Sequence, residues 1–215
     1  MVKLLTEVVH DIKPIVESVE GGPKKYFIEG IFLQANVLNK NGRVYSRDIL
    51  QNEVARYTKD FILPKRSLGE LGHPDSPTVN QDRASHYITD LKEDGNNWVG
   101  KAKILDTPYG KIVKTFIDEG ITNGVSSRGM GTLVERNGVN HVQEDYKLVG
   151  VDIVHDPSAH DAFVQGVMES KEWILDIASG EYRLIEEIQK DIRRASKVNL
   201  EEAILTAFNK FIGSI

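Results

Sequence analysis

The chain has 215 residues and no cysteine, which excludes disulfides, thiol catalysis and cysteine metal sites. Hydrophobic residues make up 40% and charged residues 27%, the balance of a globular protein long enough to bury a core without staples. A net charge of −5 argues against a phosphate-backbone partner and makes a nucleic-acid module the weakest reading.

The opening MVKLLTEVVHDIKP scatters charges among its apolar residues, unlike the continuous apolar core of a signal peptide. No apolar run approaches the roughly 20 residues of a membrane span. With no cysteine, these features fit a cytoplasmic protein that is not bound to a membrane. Residues 1–25 read as a weakly patterned arm ending in GGPKK. YFIEGIFLQANVL (26–38) is rich in β-branched and aromatic residues and predicts a strand. NKNG (39–42) predicts a turn. SRDILQNEVARYTKDF (46–61) predicts a helix capped by Ser46, with Ile49, Leu50, Val54 and Tyr57 at helical spacing.

LPKRSLGELGHPDSPTVNQD (63–82) has no period and predicts a long ordered loop, a place where function often sits. A hairpin is predicted over 86–105, with Tyr87, Thr89 and Leu91 alternating before DGNN and Trp98, Gly100, Ala102 and Ile104 after it. TPYGKIVKTFIDEG (107–120) predicts an amphipathic helix with Ile112, Val113, Phe116 and Ile117 inward, closed by Gly120. A second hairpin turns at Asn137-Gly138, and Lys147 to Val154 predicts a buried strand. From about residue 168 the apolar stripes of KEWILDIA, EYRLIEEIQKDIRRA and NLEEAILTAFNKFI predict helices, the last capped by Asn199 with Glu202. The predicted domains are an arm (1–25), a mixed β/α body (26–167) and a helical tail (168–215).

Four features carry candidate chemistry. His73 in GELGHPD is fixed by glycine before and proline after, which suits a general base or a loop histidine bonding a carbonyl. TNGVSSRGMG (122–131) holds Ser126 and Ser127 among glycines, either as a serine-containing turn or as a nucleophile. Arg128 and the nearby amides are candidates for the oxyanion donors that a nucleophile needs. The stretch does not match the G-x-S-x-G elbow. Asp152 interrupts the apolar LVGVDIV. It reads as an exposed edge carboxylate, a partner of Arg128, or the acid that orients a histidine, with His86 as a rival orienter. HDPSAHD gathers His155, Asp156, His160 and Asp161, but it lacks the spacing of the HExxH zinc motif and reads as a turn rather than a metal site.

In order, GIFLQANVLNKNGRVY (30–45), LGELGHP (68–74), TNGVSSRGMG (122–131) and VGVDIVHDPSAHDAF (149–163) resemble the prohead proteases of large contractile-tailed phages, over roughly residues 26–165. These serine peptidases are related in fold to the herpesvirus maturational protease. The resemblance implies an α+β fold with a mostly antiparallel, barrel-like core surrounded by helices, and a helical C-terminal tail. It implies a serine endopeptidase inside the immature capsid in the host cytoplasm, cutting scaffold, shell proteins and itself, with self-association and no cofactor. His73 matches the general base, Ser126 the nucleophile, and Ser127 and Arg128 the oxyanion region. Asp152 matches the third member, with His86 second. Relatives favour glutamate before the cut with an aliphatic residue two places earlier, a pattern met at Ile185-Glu186-Glu187 and Leu200-Glu201-Glu202 in the tail. Two other readings stand beside it: a non-enzymatic scaffold or structural component of the prohead, and a metal-dependent hydrolase built on HDPSAHD.

Overall fold

The computed structural model of the protein describes residues 2–9, 12–17, 24–155, 172–176 and 181–184. Strands β1 (Val2–Val9), β2 (Ile12–Glu17), β3 (Lys25–Gln34) and β4 (Arg43–Val44) come first. Helix α1 (Arg47–Tyr57) leads to β5 (Leu68–Glu70), β6 (Ala84–Asp94) and β7 (Asn97–Ile104). Helix α2 (Pro108–Asp118) is followed by β8 (Asn123–Gly131), β9 (Leu133–Arg136), β10 (Val139–Val142) and β11 (Lys147–His155). Strands β12 (Glu172–Asp176) and β13 (Glu181–Leu184) end the described chain.

The fold is α+β and mostly antiparallel. Its sheets run β11-β8-β1-β12-β13, β2-β3-β7-β6-β5 and β4-β10-β9. The barrel-like core expected from sequence is not found, because no sheet closes among the described residues. The two large sheets instead meet at a seam. There Leu71 forms a lone parallel bridge with Ile153, and the Gly72 N–H donates to the Ile153 carbonyl at 2.8 Å. Between the sheets lie Leu5, Phe32, Ile88, Ala102, Val125, Val151 and Ile153, none with measurable exposure. Each large apolar side chain buried this way contributes about 1.5–3 kcal/mol. Helix α1 adds Leu50, Val54 and Tyr57 to this core, and α2 adds Val113.

Local chemistry explains most elements. Ser46 caps α1 as expected, its Oγ accepting from the Ile49 N–H, and a π-helical turn (Thr58–Ile62) extends the helix. Thr107 caps α2, and Pro108 occupies its first turn. The inward face of α2 is narrower than expected: Val113 is buried, but Ile112 is 41% exposed. In β7 the expected alternation holds, with Trp98, Gly100, Ala102 and Ile104 all buried. In β6 it holds only at Leu91: Ile88 is buried in place of Tyr87 and Thr89, and a register shift between Ile88 and Asp90 brings Leu91 onto the Ile88 face. Asn137 and Gly138 take the positive φ values (54° and 78°) of a tight hairpin turn.

Three expectations need correction. The described part of the arm forms two strands, since β1 pairs with β8 along seven positions and β2 with β3 along six. The 63–82 loop contains β5 and a helical turn, Gln81–Arg83. Within KEWILDIA and EYRLIEEIQKDIRRA, the described residues Glu172–Asp176 and Glu181–Leu184 pair as antiparallel strands, β12 with β13, instead of helices. Pairing of Val2 and Lys3 with Trp173 and Glu172 outweighs their helical stripe. Residues 185–215, with both tail glutamate sites, and Asp156, His160 and Asp161 lie outside the described residues.

Candidate active site

Strand β8 lies between β11 and β1 and is buried along its whole length. In a strand, successive side chains point to opposite faces. Ser126 and Arg128 therefore share one face, and Ser127 takes the other. Ser126 pairs in register with Asp152 of β11, and Ser127 with Val151 of β11 and Glu7 of β1. This register brings Asp152 beside Ser126, although 26 positions separate them in the chain.

His73 reaches the same face from the loop after β5. The Gly72 N–H to Ile153 bond anchors its backbone on β11. Its Nδ1 lies 3.1 Å from Asp152 Oδ2, and its Nε2 lies 2.9 Å from Ser126 Oγ. A carboxylate can only accept here, so Nδ1 carries the proton and donates it. Nε2 is then the bare nitrogen, and the Ser126 hydroxyl donates to it. The serine and the acid are fully buried, and the histidine side chain is 24% exposed. The arrangement can transfer a proton from the serine to the imidazole as the serine attacks a carbonyl.

Burial pushes the Asp152 carboxyl up, but the His73 hydrogen bond, the Arg128 charge and the Glu70 N–H outweigh it and hold the group below its usual range. The Glu70 N–H donates to Asp152 Oδ1 at 3.0 Å, and Arg128 Nη2 to the same oxygen at 3.2 Å. Two sequence readings of Asp152, partner of Arg128 and partner of a histidine, hold at once.

The Arg128 guanidinium lies among protein groups, its two terminal nitrogens hydrogen-bonded and its Nε 2.9 Å from Asp152 Oδ2. It is fully buried. Nη1 donates to the carbonyls of Ser76 and Thr78 at 2.7 and 3.0 Å, and Nη2 to Glu70 Oε1 at 3.0 Å. It clasps the His73 loop to the sheet. Ser127, on the opposite face, turns toward the buried Tyr146 phenol and away from His73.

His86 does not contact His73. One ring nitrogen, Nε2, donates to the Val151 carbonyl at 2.8 Å, and Nδ1 accepts from Ser85 Oγ at 2.9 Å. Both nitrogens are occupied, so this histidine has none left to orient another. Burial holds its pKa below the ordinary value, against the opposing pull of the Asp152 charge and the Val151 carbonyl. It passes over Gly69, where any Cβ would overlap the imidazole and the Val151 carbonyl. His86 is thus a seam residue, tying β6 to β11 next to Asp152.

Glu70 and Arg83 were missed at the sequence level. Glu70 is fully buried under the site, with Arg83 Nε 3.4 Å from its Oε2. Its only signal is a glutamate between Gly69 and Leu71 in an aperiodic stretch, which reads as surface. Among the described residues no group of three His, Asp or Glu side chains forms a metal cluster. His155 stands exposed at the end of β11.

The sequence model of the prohead core protein serine protease family matches residues 4–172. The prohead core protein protease of Enterobacteria phage T4 is 42% identical over 159 residues, spanning 70% of this chain and 75% of that protein. The solved structure of the bacteriophage T4 capsid assembly protease matches with a TM-score of 0.66 at 36% identity, covering 73% of this chain and 99% of that one. The family match opens within β1, which pairs with the strand carrying Ser126. With most of its length matched and a relative well above 30% identity, the chain belongs to the prohead core protein serine protease family.

Proposed function

We propose that the chain is the endopeptidase that matures its phage prohead, with Ser126 as nucleophile, His73 as general base and Asp152 as the orienting acid. The observation that carries this reading is the continuous relay from Ser126 Oγ to His73 Nε2 (2.9 Å) and from His73 Nδ1 to Asp152 Oδ2 (3.1 Å). As Ser126 Oγ bonds to the scissile carbonyl carbon, its proton passes to His73 Nε2. Asp152 holds the resulting imidazolium in place. The proton then moves to the leaving amine, and the C–N bond breaks to leave an ester on Ser126. A water, deprotonated by His73, attacks the ester carbonyl; the bond to Ser126 Oγ breaks, the proton on His73 returns to Oγ, and the acid product leaves.

The substrates are scaffold and shell proteins enclosed in the prohead, and the chain itself. The tail sites after Glu187 and Glu202 fit the glutamate pattern of the resemblance. Co-expression with the phage's own scaffold and shell proteins tests the reading. Mass spectrometry is expected to find cut scaffold and new C-termini at Glu187 or Glu202. His73→Ala is expected to abolish every cut. Cleavage that persists in His73→Ala would overturn the site, and an intact tail in an active preparation would overturn self-cleavage.

A further inference from the structure

Glu70 sits inside the site without a place in the proton relay. Its N–H donates to Asp152 Oδ1. Its Oε1 accepts from the Asn80 N–H at 2.9 Å and from Arg128 Nη2 at 3.0 Å. Arg128 meets the orienting acid closely: its Nε lies 2.9 Å from Asp152 Oδ2, the same oxygen that receives His73 Nδ1–H. A full positive charge therefore rests against the acid that has to hold an imidazolium.

Left uncompensated, that charge cancels the field of Asp152 at His73. In a buried site, with little water to screen it, the cancellation is large. Glu70 places a second negative charge on the far side of the same guanidinium. Arg83 also pairs with Glu70, its Nε 3.4 Å from Oε2, but its side chain is 41% exposed, so water screens its charge far more than that of the buried Arg128. His86 from β6 is held neutral by burial, and Tyr57 from α1 keeps its proton for the same reason.

We propose that Glu70 is a positioning residue for the reaction: it neutralises Arg128, so that the charge of Asp152 remains available to His73. The proposal rests on the assignment of Ser126, His73 and Asp152 given above. Glu70→Gln keeps the shape and an acceptor oxygen but removes the charge. It is expected to lower kcat about tenfold with KM within about twofold. The acid limb of kcat/KM is expected to move to lower pH, because a negative charge that favours the protonated relay has been removed. Arg128→Gln removes the opposite charge and should move the limb the other way, to higher pH. The double variant Glu70→Gln/Arg128→Gln should return it to the parental position.

A purely structural role gives no such reversal of sign. Glu70→Gln with parental kcat and acid limb, or single variants that shift the limb in the same direction, would overturn the proposal. Where one single variant fails to fold, the other still has a predicted direction. Failure of all three to fold would mark the pair as a folding element and overturn it as well. NMR titration of His73 in a Ser126→Ala background reads the same shifts without turnover. It therefore decides for Glu70 even if the cleavage assay unseats Ser126 as nucleophile.

Discussion

Strand β8 delivers one serine to each of its faces, and each face buries an acid and an arginine. Beside Ser126 these are Asp152 and Arg128, and beside Ser127 they are Glu7 and Arg43. The two carboxylates respond to burial in opposite ways. Burial pushes Glu7 up, and Arg43, Asn41 and Tyr45 do not bring it back to its ordinary value. Burial pushes Asp152 up too, but His73, Arg128 and the Glu70 N–H reverse the direction. The Ser127 face is closed by Tyr45 and Tyr146, packed edge to face at 5.1 Å. The Ser126 face admits a partly exposed histidine from a loop. A serine, an acid and an arginine together are ordinary buried structure. Among the described residues, what distinguishes the Ser126 face is a histidine that reaches solvent and bonds the serine.

The largest effect expected from this contrast is at the acid of the Ser126 face. Asp152→Asn removes the charge and allows an NH2 to face His73 Nδ1, so the tautomer is no longer fixed, and kcat should fall about 10⁴-fold as in other serine proteases. Steady-state kinetics on a scaffold substrate checks it, and a loss under tenfold would break the contrast. On the other face, Glu7→Ala leaves Arg43, Tyr45 and Asn41 without their shared acceptor. It should cost about 3–5 kcal/mol of stability, with kcat per folded molecule near parental. Urea unfolding paired with active-site titration would show this, and an intact stability with lost kcat would reverse the roles of the two faces.

The smallest effect is a difference in sign with pH. Asp152 has a depressed folded pKa, so its contribution is present above its ordinary 3.8 and is lost as pH falls through the folded value. Glu7 has a raised folded pKa, so its contribution is full below its ordinary 4.5 and is lost as pH rises through the folded value. The stability lead of the parent over Asp152→Asn should therefore shrink on acidification, and its lead over Glu7→Gln should grow. Chemical denaturation across the acid range measures both, and parallel trends would contradict the account.

The sequence carried much of this but not the part that separates the faces. His73 was legible because glycine and proline restrain its backbone, and Asp152 because a carboxylate interrupts an apolar strand. The β3 strand, the helix caps and the Asn137-Gly138 turn followed from local chemistry. The choice between Ser126 and Ser127 did not, because it depends on register with Asp152, a pairing across 26 positions. Strand β1 was hidden because its buried face holds Lys3 and Glu7 beside Leu5, so no apolar alternation marks it. Strands β12 and β13 carry a helical stripe that tertiary pairing overrides. Glu70 reads as surface because nothing local shows that Arg128 waits for it, 58 positions along the chain.

The two serines test the central claim most directly. Cleavage of the phage's scaffold protein should be compared for Ser126→Ala and Ser127→Ala at equal folded concentration. The account predicts a loss of about 10⁴-fold or more for Ser126→Ala and activity within a few-fold of the parent for Ser127→Ala. Loss of cleavage in Ser127→Ala with retention in Ser126→Ala would contradict it and move the chemistry to the closed face of β8.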